Sequence, residues 1–432
     1  MNAAVNQNGN QMNCQVAVIG AGTAGMAAAI FAANRGLSVV QVGKASELSF
    51  SSGCLDLFST IPGEDLRHFE NPFDGIEALV DEQPNHPYAR VSRDEIAQSF
   101  EEFTAFMAGA GMKYHCSPGN NQQIITPAGT LKPSWCVPAP MFAGARALAE
   151  KKQILIVDIR GLKGFGSRQM VERLRRAHPC MGSVTIEFPG REKAGDLMCE
   201  RLTWDLENPK ILKQFIRTLR PHVAGYDAVG LPAILGIYRF EELRQSLEEA
   251  LGVTVFEIPT LSPSVTGLRT KEAFIGQLGK TAVRHFPVSV KEIGVSLNGG
   301  FSFELDQPMG KVRVNAEHLI LATGRFLGKG LGVNDQGRIR ENLLDLPVTQ
   351  TENRSAWFDR DFFAKSGHAV NRAGVETDDT FRPLNADGKL FHSRLYACGS
   401  ILAHQDWKRE KSGSGISIAS AYKALEHLAG QL

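Results

Sequence analysis

The chain has 432 residues, 43% hydrophobic and 22% charged, a composition that excludes a disordered chain, a coiled coil and a collagen-like fibre. Lys and Arg number 47 against 46 Asp and Glu, a formal net charge of +1. No global basic field is therefore available to hold nucleic acid through its phosphates, and the length suggests two or three folding units.

Residues 1–13 are rich in Asn and Gln and are expected as a disordered tail. Cys14–Ile19 is a short apolar, β-branched run suited to a buried parallel strand. Met26–Asn34 is Ala-rich and helical, with Gly36 as its stop, and Leu37–Val42 is a second strand. Together they make a β-α-β unit of about 30 residues. The apolar stretch Val16–Ala33 is neither a signal peptide nor a membrane helix: no cation precedes it, and Gly20, Gly22 and Gly25 break it.

Beyond residue 60 the pattern changes. Glu64–Tyr88 is polar, Ser92–Gly111 is a helix with a Phe-rich face, and Thr126–Pro140 is a Pro-rich loop. Ala143–Lys151 is helical and Gln153–Ile159 is a strand. Asn208 caps a helix over Pro209–Leu219. Ala228–Ile237 is apolar and Glu241–Leu251 helical. Val288–Leu321 is a run of strands turning at Gly299-Gly300 and Met309-Gly310. His318–Gly324 and Arg394–Gly399 are strands ending in glycine, and Ile416–Leu428 is the last helix. The expected organisation is a Rossmann-like domain from residues 14–61 and 261–432, with an α+β domain inserted at 62–260.

Seven cysteines stand scattered, none at Cys-x-x-Cys spacing. They are expected as free thiols in a reducing compartment. The spacing also argues against a metal or iron–sulfur site bound by this chain alone.

The strongest motif is Gly20-Ala21-Gly22-Thr23-Ala24-Gly25, set between a strand and a helix. The first glycine permits the tight turn, the second lets backbone approach a phosphate, and the third lets helix and strand pack. A dinucleotide site usually adds Asp or Glu about 20 residues on to hold the adenosine ribose. Here that place reads Gln41-Val42-Gly43-Lys44. FMN, which has no second ribose, is therefore favoured over FAD, with Lys44 among the candidate contacts. Ser51, Ser52 and Gly53 form a small, hydroxyl-rich loop of the kind that runs along a flavin ring; a helix N-cap explains the serines equally well. Thr323-Gly324 after an apolar strand, Gly399-Ser400 after another, and Gly413-Ser414-Gly415 at the last helix complete the candidate cofactor set. A helix start there would stabilise negative charge on a reduced flavin. The fold class expected is α/β, a Rossmann-like FAD/NAD(P)-binding flavoprotein fold with an inserted α+β domain.

Phe50-Ser-Ser-Gly-Cys-Leu-Asp-Leu57, Val229-Gly-Leu-Pro-Ala233, Glu257-Ile-Pro-Thr-Leu-Ser-Pro-Ser-Val-Thr-Gly-Leu-Arg269 and Ala373-Gly-Val-Glu-Thr-Asp378 together resemble the B subunit of anaerobic glycerol-3-phosphate dehydrogenase. The resemblance runs from about Gln15 to the C-terminus. It implies an FMN-binding member of a three-subunit, quinone-dependent glycerol-3-phosphate dehydrogenase. That complex oxidises sn-glycerol 3-phosphate to dihydroxyacetone phosphate and passes electrons to quinone. It implies as partners a catalytic FAD subunit and an iron–sulfur subunit that anchors the complex at the cytoplasmic face of the inner membrane. The alternatives are a self-contained FAD oxidoreductase of the fumarate-reductase type and a non-enzymatic assembly subunit.

No residue is assigned as acid, base or metal ligand. His404 is expected as polar surface, Cys54 and Cys398 as buried packing, and the charged stretch Ala403–Lys411 as a solvated loop. Arg168, Arg173, Arg175 and Arg176 are expected on a solvated helix face. Arg269 is expected to meet an anion or to sit in a rigid hinge.

Overall fold

The structure, a computed structural model, describes residues 11–432 apart from 193, 194, 297 and 309, and leaves the side chains of residues 46 and 47 undescribed. Val16–Ile19 carries apolar residues on both faces, as a strand covered on both sides requires. It ends the strand Gln11–Ile19, which lies between Val39–Val42 and Gly310–Leu321 in a seven-stranded sheet. Val283–Phe286 extends the sheet beside Val39–Val42. Phe301–Gln307 pairs antiparallel on the other side, followed by Gly294–Val295. Leu395–Ala397 pairs parallel with the end of Gly310–Leu321. Ile19 is in register with both Val42 and Leu321, and Leu321 with Ala397. The carboxyl ends of these parallel strands therefore share one edge, the place where open α/β sheets bind ligands.

The strand starts earlier than the sequence suggests. Gln11–Asn13, expected in the tail, pair with Arg313–Asn315, and Asn315 Nδ2 donates to Asn13 Oδ1 at 2.9 Å. The long neighbouring strand supplies backbone partners that composition does not reveal. The rest of the expected tail, residues 1–10, lies outside the described residues, as does Met309 of the second expected turn.

The helix Thr23–Asn34 buries every residue from Ala24 to Ala32. Its alanines let it lie flush, with Phe31 edge-on to Tyr422 of the last helix, Gly413–Ala429, at 5.3 Å. Gly36 closes the first helix at φ +73°, its N–H on Ala33 O.

Two compact units divide the chain: Met1–Glu47 with Asp56–Ala110 and Phe274–Leu432, and Leu48–Leu55 with Gly111–Ala273. The inserted domain expected at 62–260 thus differs from the second unit. The polar stretch Glu64–Tyr88 carries a helix, Pro72–Glu82, capped by Asn71. The next helix, Arg93–Gly109, opens with a capping box between Ser92 and Glu95 and docks on the first unit's helices. Glu102 meets Arg35 at 3.1 Å, Lys423 meets Glu95 at 2.6 Å, and Tyr422 donates to Gln98 at 3.0 Å.

The second unit is built on its own four-stranded parallel sheet, ordered Met181–Ile186, Ile154–Ile159, Ala228–Pro232, Thr254–Ile258. Two antiparallel ribbons accompany it. Thr126–Pro140, expected as loop, supplies a strand to each: Leu131–Ser134 pairs with Gln122–Ile125, and Cys136–Pro138 with Tyr114–Cys116. A two-stranded ribbon tolerates Pro133 and Pro138 because each strand keeps an unpaired edge. The second ribbon places Cys116 directly opposite Cys136, and a disulfide joins them. The expectation of seven free thiols is corrected here; the cross-strand register, invisible in the spacing of 20 residues, creates the pair. Cys14, Cys54, Cys180, Cys199 and Cys398 remain free.

Arg269 and Glu257 form a buried ion pair, 4% and 1% exposed. Arg269 also donates to Gly236 O at 2.7 Å and lies over the Phe240 ring, while Glu257 accepts the Leu235 N–H at 2.8 Å. The pair pins the chain after Ala228–Pro232 to the strand and helix that follow it. The anion that Arg269 meets is thus a carboxylate of its own chain.

His318, within Gly310–Leu321, is 4% exposed and its Nδ1 has no hydrogen-bond partner. Burial, with Arg394 and His392 nearby, pushes its pKa from 6.5 down to about 4. The imidazole is therefore neutral when folded, and its stabilising contribution is complete above pH 6.5. It is lost as pH falls through the window from 6.5 to about 4. A thermal melting series across that window is expected to show a falling midpoint, and His318→Leu to flatten the fall.

Candidate functional site

The glycine loop sits where the first strand meets the shared edge. Gly20 adopts φ +130°, and a Cβ there would stand 2.1 Å from Ala322 O. Its N–H donates to Val42 O at 2.7 Å, and Ala322 N–H donates to Ile19 O at 2.8 Å. Gly25 lies so close to Gly20 O that a Cβ would stand 2.1 Å from it. Gly22 is the N-cap of the first helix and brings no side-chain cap, and no acidic residue stands in the first turn. Thr23 and Ala24 open that helix. Its first N–H groups thus face the edge uncapped, as an anion site requires.

The end of Val39–Val42 faces the same loop. A Cβ on Gly43 would stand 2.8 Å from Ala21 N and 3.0 Å from Gly20 C. No side chain fits there, so no carboxylate projects from this strand end. Gln41, one residue inside the strand, is fully buried; its Nε2 donates to Gly20 O at 3.2 Å and its Oε1 meets His285 Nδ1 at 3.1 Å. It holds the loop from below. Lys44 is exposed just past the strand.

Thr323 and Gly324 follow the Gly310–Leu321 strand, and Gly399 and Ser400 follow Leu395–Ala397. Thr323 Oγ1 is buried without a hydrogen-bond partner, an orphaned donor at the ligand edge of the sheet. Gly399 packs on the first helix, where a Cβ would stand 2.5 Å from Ala24 Cβ. Its N–H donates to Ser420 Oγ at 3.0 Å, which ties it to the last helix. Ser400 is next to Gly324: its Oγ is 3.5 Å from where a Gly324 Cβ would stand. Gly413, Ser414 and Gly415 form the first turn of that helix, whose N-cap Ser412 makes no side-chain cap. Gly415 N–H donates to Asp56 O at 2.8 Å. The first unit therefore gathers two helix starts without side-chain caps, four strand ends and an unsatisfied hydroxyl, and a phosphate-bearing cofactor fits that cradle. Ser51, Ser52 and Gly53 belong to the second unit. There Ser51 Oγ accepts the Gly53 N–H at 3.0 Å, and Tyr114 donates to Gly53 O at 3.0 Å.

Three residues that support this edge are not evident from sequence motifs. Arg325 donates to Ser400 O at 2.7 Å and to Gln405 O at 3.1 Å. Burial lowers its pKa to about 10 despite Asp406 and Glu410 nearby. Glu410 and His86 meet behind the last helix's start, 2% and 0% exposed. Tyr88 N–H donates to His86 Nδ1 at 3.2 Å, so the imidazole proton sits on Nε2 and faces Glu410 Oε2 at 3.3 Å. Burial would raise the Glu410 carboxyl, but His86, the Asp406 N–H and the Ser412 hydroxyl hold it below the usual range. The solvated loop expected over Ala403–Lys411 is corrected accordingly: Gln405, Asp406 and Glu410 are buried. Asp406 and Glu410 find partners far away in sequence, in Asn371 and His86, whereas Gln405 donates locally to Gly399 O and Leu402 O. His404 is not simple polar surface either, since it pairs with Glu376 and adopts φ +65°. Its hydrogen bond holds the Glu376 carboxyl below the usual range. Burial pushes the Cys398 thiol up to about 12, which leaves it protonated and inert.

Residues 15–416 match the FAD binding domain family model. A Vibrio vulnificus protein described as the B subunit of anaerobic glycerol-3-phosphate dehydrogenase is 30% identical over 97% of this chain and 97% of its own length. The chain belongs to the family of anaerobic glycerol-3-phosphate dehydrogenase B subunits. A Halobacterium salinarum relative, described as a probable B subunit of the same dehydrogenase, is 32% identical over 95% of this chain and 96% of its own. Among solved structures, the 3-ketosteroid delta1-dehydrogenase of Sterolibacterium denitrificans aligns with 97% of this chain and all of its own at 10% identity, with a TM-score of 0.44. The family places the chain in the FAD-binding flavoprotein fold. Among the described residues no helix is long and apolar enough to cross a membrane.

Proposed function

We propose that this chain is the FMN-carrying subunit of a complex that oxidises sn-glycerol 3-phosphate to dihydroxyacetone phosphate and delivers the electrons to quinone. The observation that carries the FMN assignment is the closed end of the second strand at Gly43, where no ribose-holding carboxylate has room. Gly20–Gly25 would hold the phosphate. Thr323, Gly324, Gly399 and Ser400 would line its tail, and Gly413–Gly415 would set a helix start against the ring. A flavin bound there supplies a carrier that takes electrons in pairs and releases them singly. The chain's own part is to hold that carrier and to fix the last helix's dipole, through the His86–Glu410 pair and Arg325. Its partners are a catalytic FAD subunit and an iron–sulfur subunit that anchors the assembly at the cytoplasmic face of the membrane. The test is co-expression of the three subunits with a tag on this one. A purified complex that reduces a quinone with sn-glycerol 3-phosphate, and loses that activity when this chain is omitted, is the expected result. Full quinone reduction by the other two subunits alone would refute the role.

A further inference from the structure

We infer that two buried charges, Glu410 at the start of the last helix and Arg325 beside Ser400, set the reduction potential of this chain's flavin in opposite directions, Glu410 downward and Arg325 upward. The inference rests on the flavin reading proposed above. Glu410 ends the short helix Trp407–Glu410, just before Gly413–Ala429, and is buried. Three donors meet its carboxylate: His86 Nε2 at 3.3 Å, the Asp406 N–H at 2.6 Å and the Ser412 hydroxyl at 2.7 Å. They keep it ionised, below the usual carboxylate range. All three are neutral. The Tyr88 N–H occupies His86 Nδ1 at 3.2 Å, which leaves that imidazole one proton and no charge. Ser412 is the N-cap of the last helix, where a serine ordinarily turns its hydroxyl onto the helix's own N–H groups. Here it makes no such bond and gives the hydroxyl to Glu410.

The neighbouring charges are engaged elsewhere. Asp406 spends its carboxylate on Asn371 at 3.3 Å, with Arg409 as a nearby cation. Arg325 turns its donors to the carbonyls of Ser400, Leu402 and Gln405. With a pKa of about 10 it stays a cation at neutral pH. A carboxylate beside a helix start takes up part of the positive end of the helix dipole. Two electrons and one proton added to a neutral flavin ring leave it with one negative charge. In the proposed complex those electrons come from sn-glycerol 3-phosphate and go on to quinone. Away from water, a fixed anion opposes that gain of negative charge and a fixed cation favours it. Glu410 therefore makes the flavin a stronger reductant than the bare helix start would, and Arg325 offsets it from the Ser400 side.

The experiment is a spectroelectrochemical titration of the full flavin-loaded chain at neutral pH, with thermal melting alongside. Glu410→Gln is expected to favour the reduced flavin about tenfold, a rise of about 30 mV in the midpoint potential of a two-electron couple. Arg325→Gln is expected to lower the potential by a similar factor. His86→Gln breaks the buried pair but leaves the carboxylate charged. It is expected to lower the melting midpoint and to keep the wild-type potential, which separates the charge from its packing. A wild-type potential in Glu410→Gln or in Arg325→Gln, or a rise in His86→Gln as large as in Glu410→Gln, overturns the inference and leaves the flavin reading standing. Should one of the two charge variants fail to fold, the sign of the shift in the other decides. A wild-type chain that holds no flavin contradicts the proposed function, and the inference falls with it.

Discussion

Gly20→Ala is expected to strip the chain of flavin and to lower its stability by about 3 kcal/mol or more. The added methyl would stand 2.1 Å from Ala322 O, a backbone atom of the residue whose own N–H donates to Ile19 O. Rotating a side chain cannot relieve that clash. The φ of +130° adds strain for any L-residue. Relief requires the Gly20–Gly25 turn to lift off the sheet edge, which moves the N–H groups that would face a cofactor phosphate. Flavin per chain after purification and the thermal midpoint measure both effects. Gly166→Ala, where nothing lies within 4 Å, is the control and should change neither. Wild-type flavin content in Gly20→Ala would show that the loop does not hold the cofactor.

Arg269→Met is expected to cost about 3–5 kcal/mol, the second large effect. The change leaves the Glu257 carboxylate buried at 1% exposure without its cation. It also removes the donor to Gly236 O. Adding Glu257→Leu is expected to restore only part of the loss, because the Leu235 N–H then has no acceptor. Chemical denaturation of the single and double variants measures this. An Arg269→Met chain within about 0.5 kcal/mol of wild type would reduce the pair to a surface-like contact. Arg168→Met, on a helix face whose residue is exposed, should fall within that margin.

What the sequence made legible was set by local constraint. Gly20 and Gly25 had to be glycine because backbone passes within bonding distance of where a side chain would begin, and that demand writes itself into a short motif. The absent acid at Gly43 was visible for the same reason, although the closeness of Ala21 that excludes any side chain there was not. Long-range partners left no such trace. His86 and Glu410 are 324 residues apart, and each alone resembles a polar residue on a loop. Cys116 and Cys136 pair through ribbon register, and the prolines that made the segment look like loop are tolerated at ribbon edges. The stretch 62–110 looked like part of an insertion because its composition changes at residue 60. Packing of Arg93–Gly109 on the first and last helices decides its membership, and hydrophobic pattern alone does not say which core a helix joins.

The central claim is that the cradle holds a mononucleotide. The direct measurement is mass spectrometry of the small molecules released on denaturing the purified full-length chain. FMN at close to one per chain is the result the closed strand end at Gly43 predicts. FAD at that level would contradict it, and would mean that the adenosine ribose is held without the carboxylate this strand lacks.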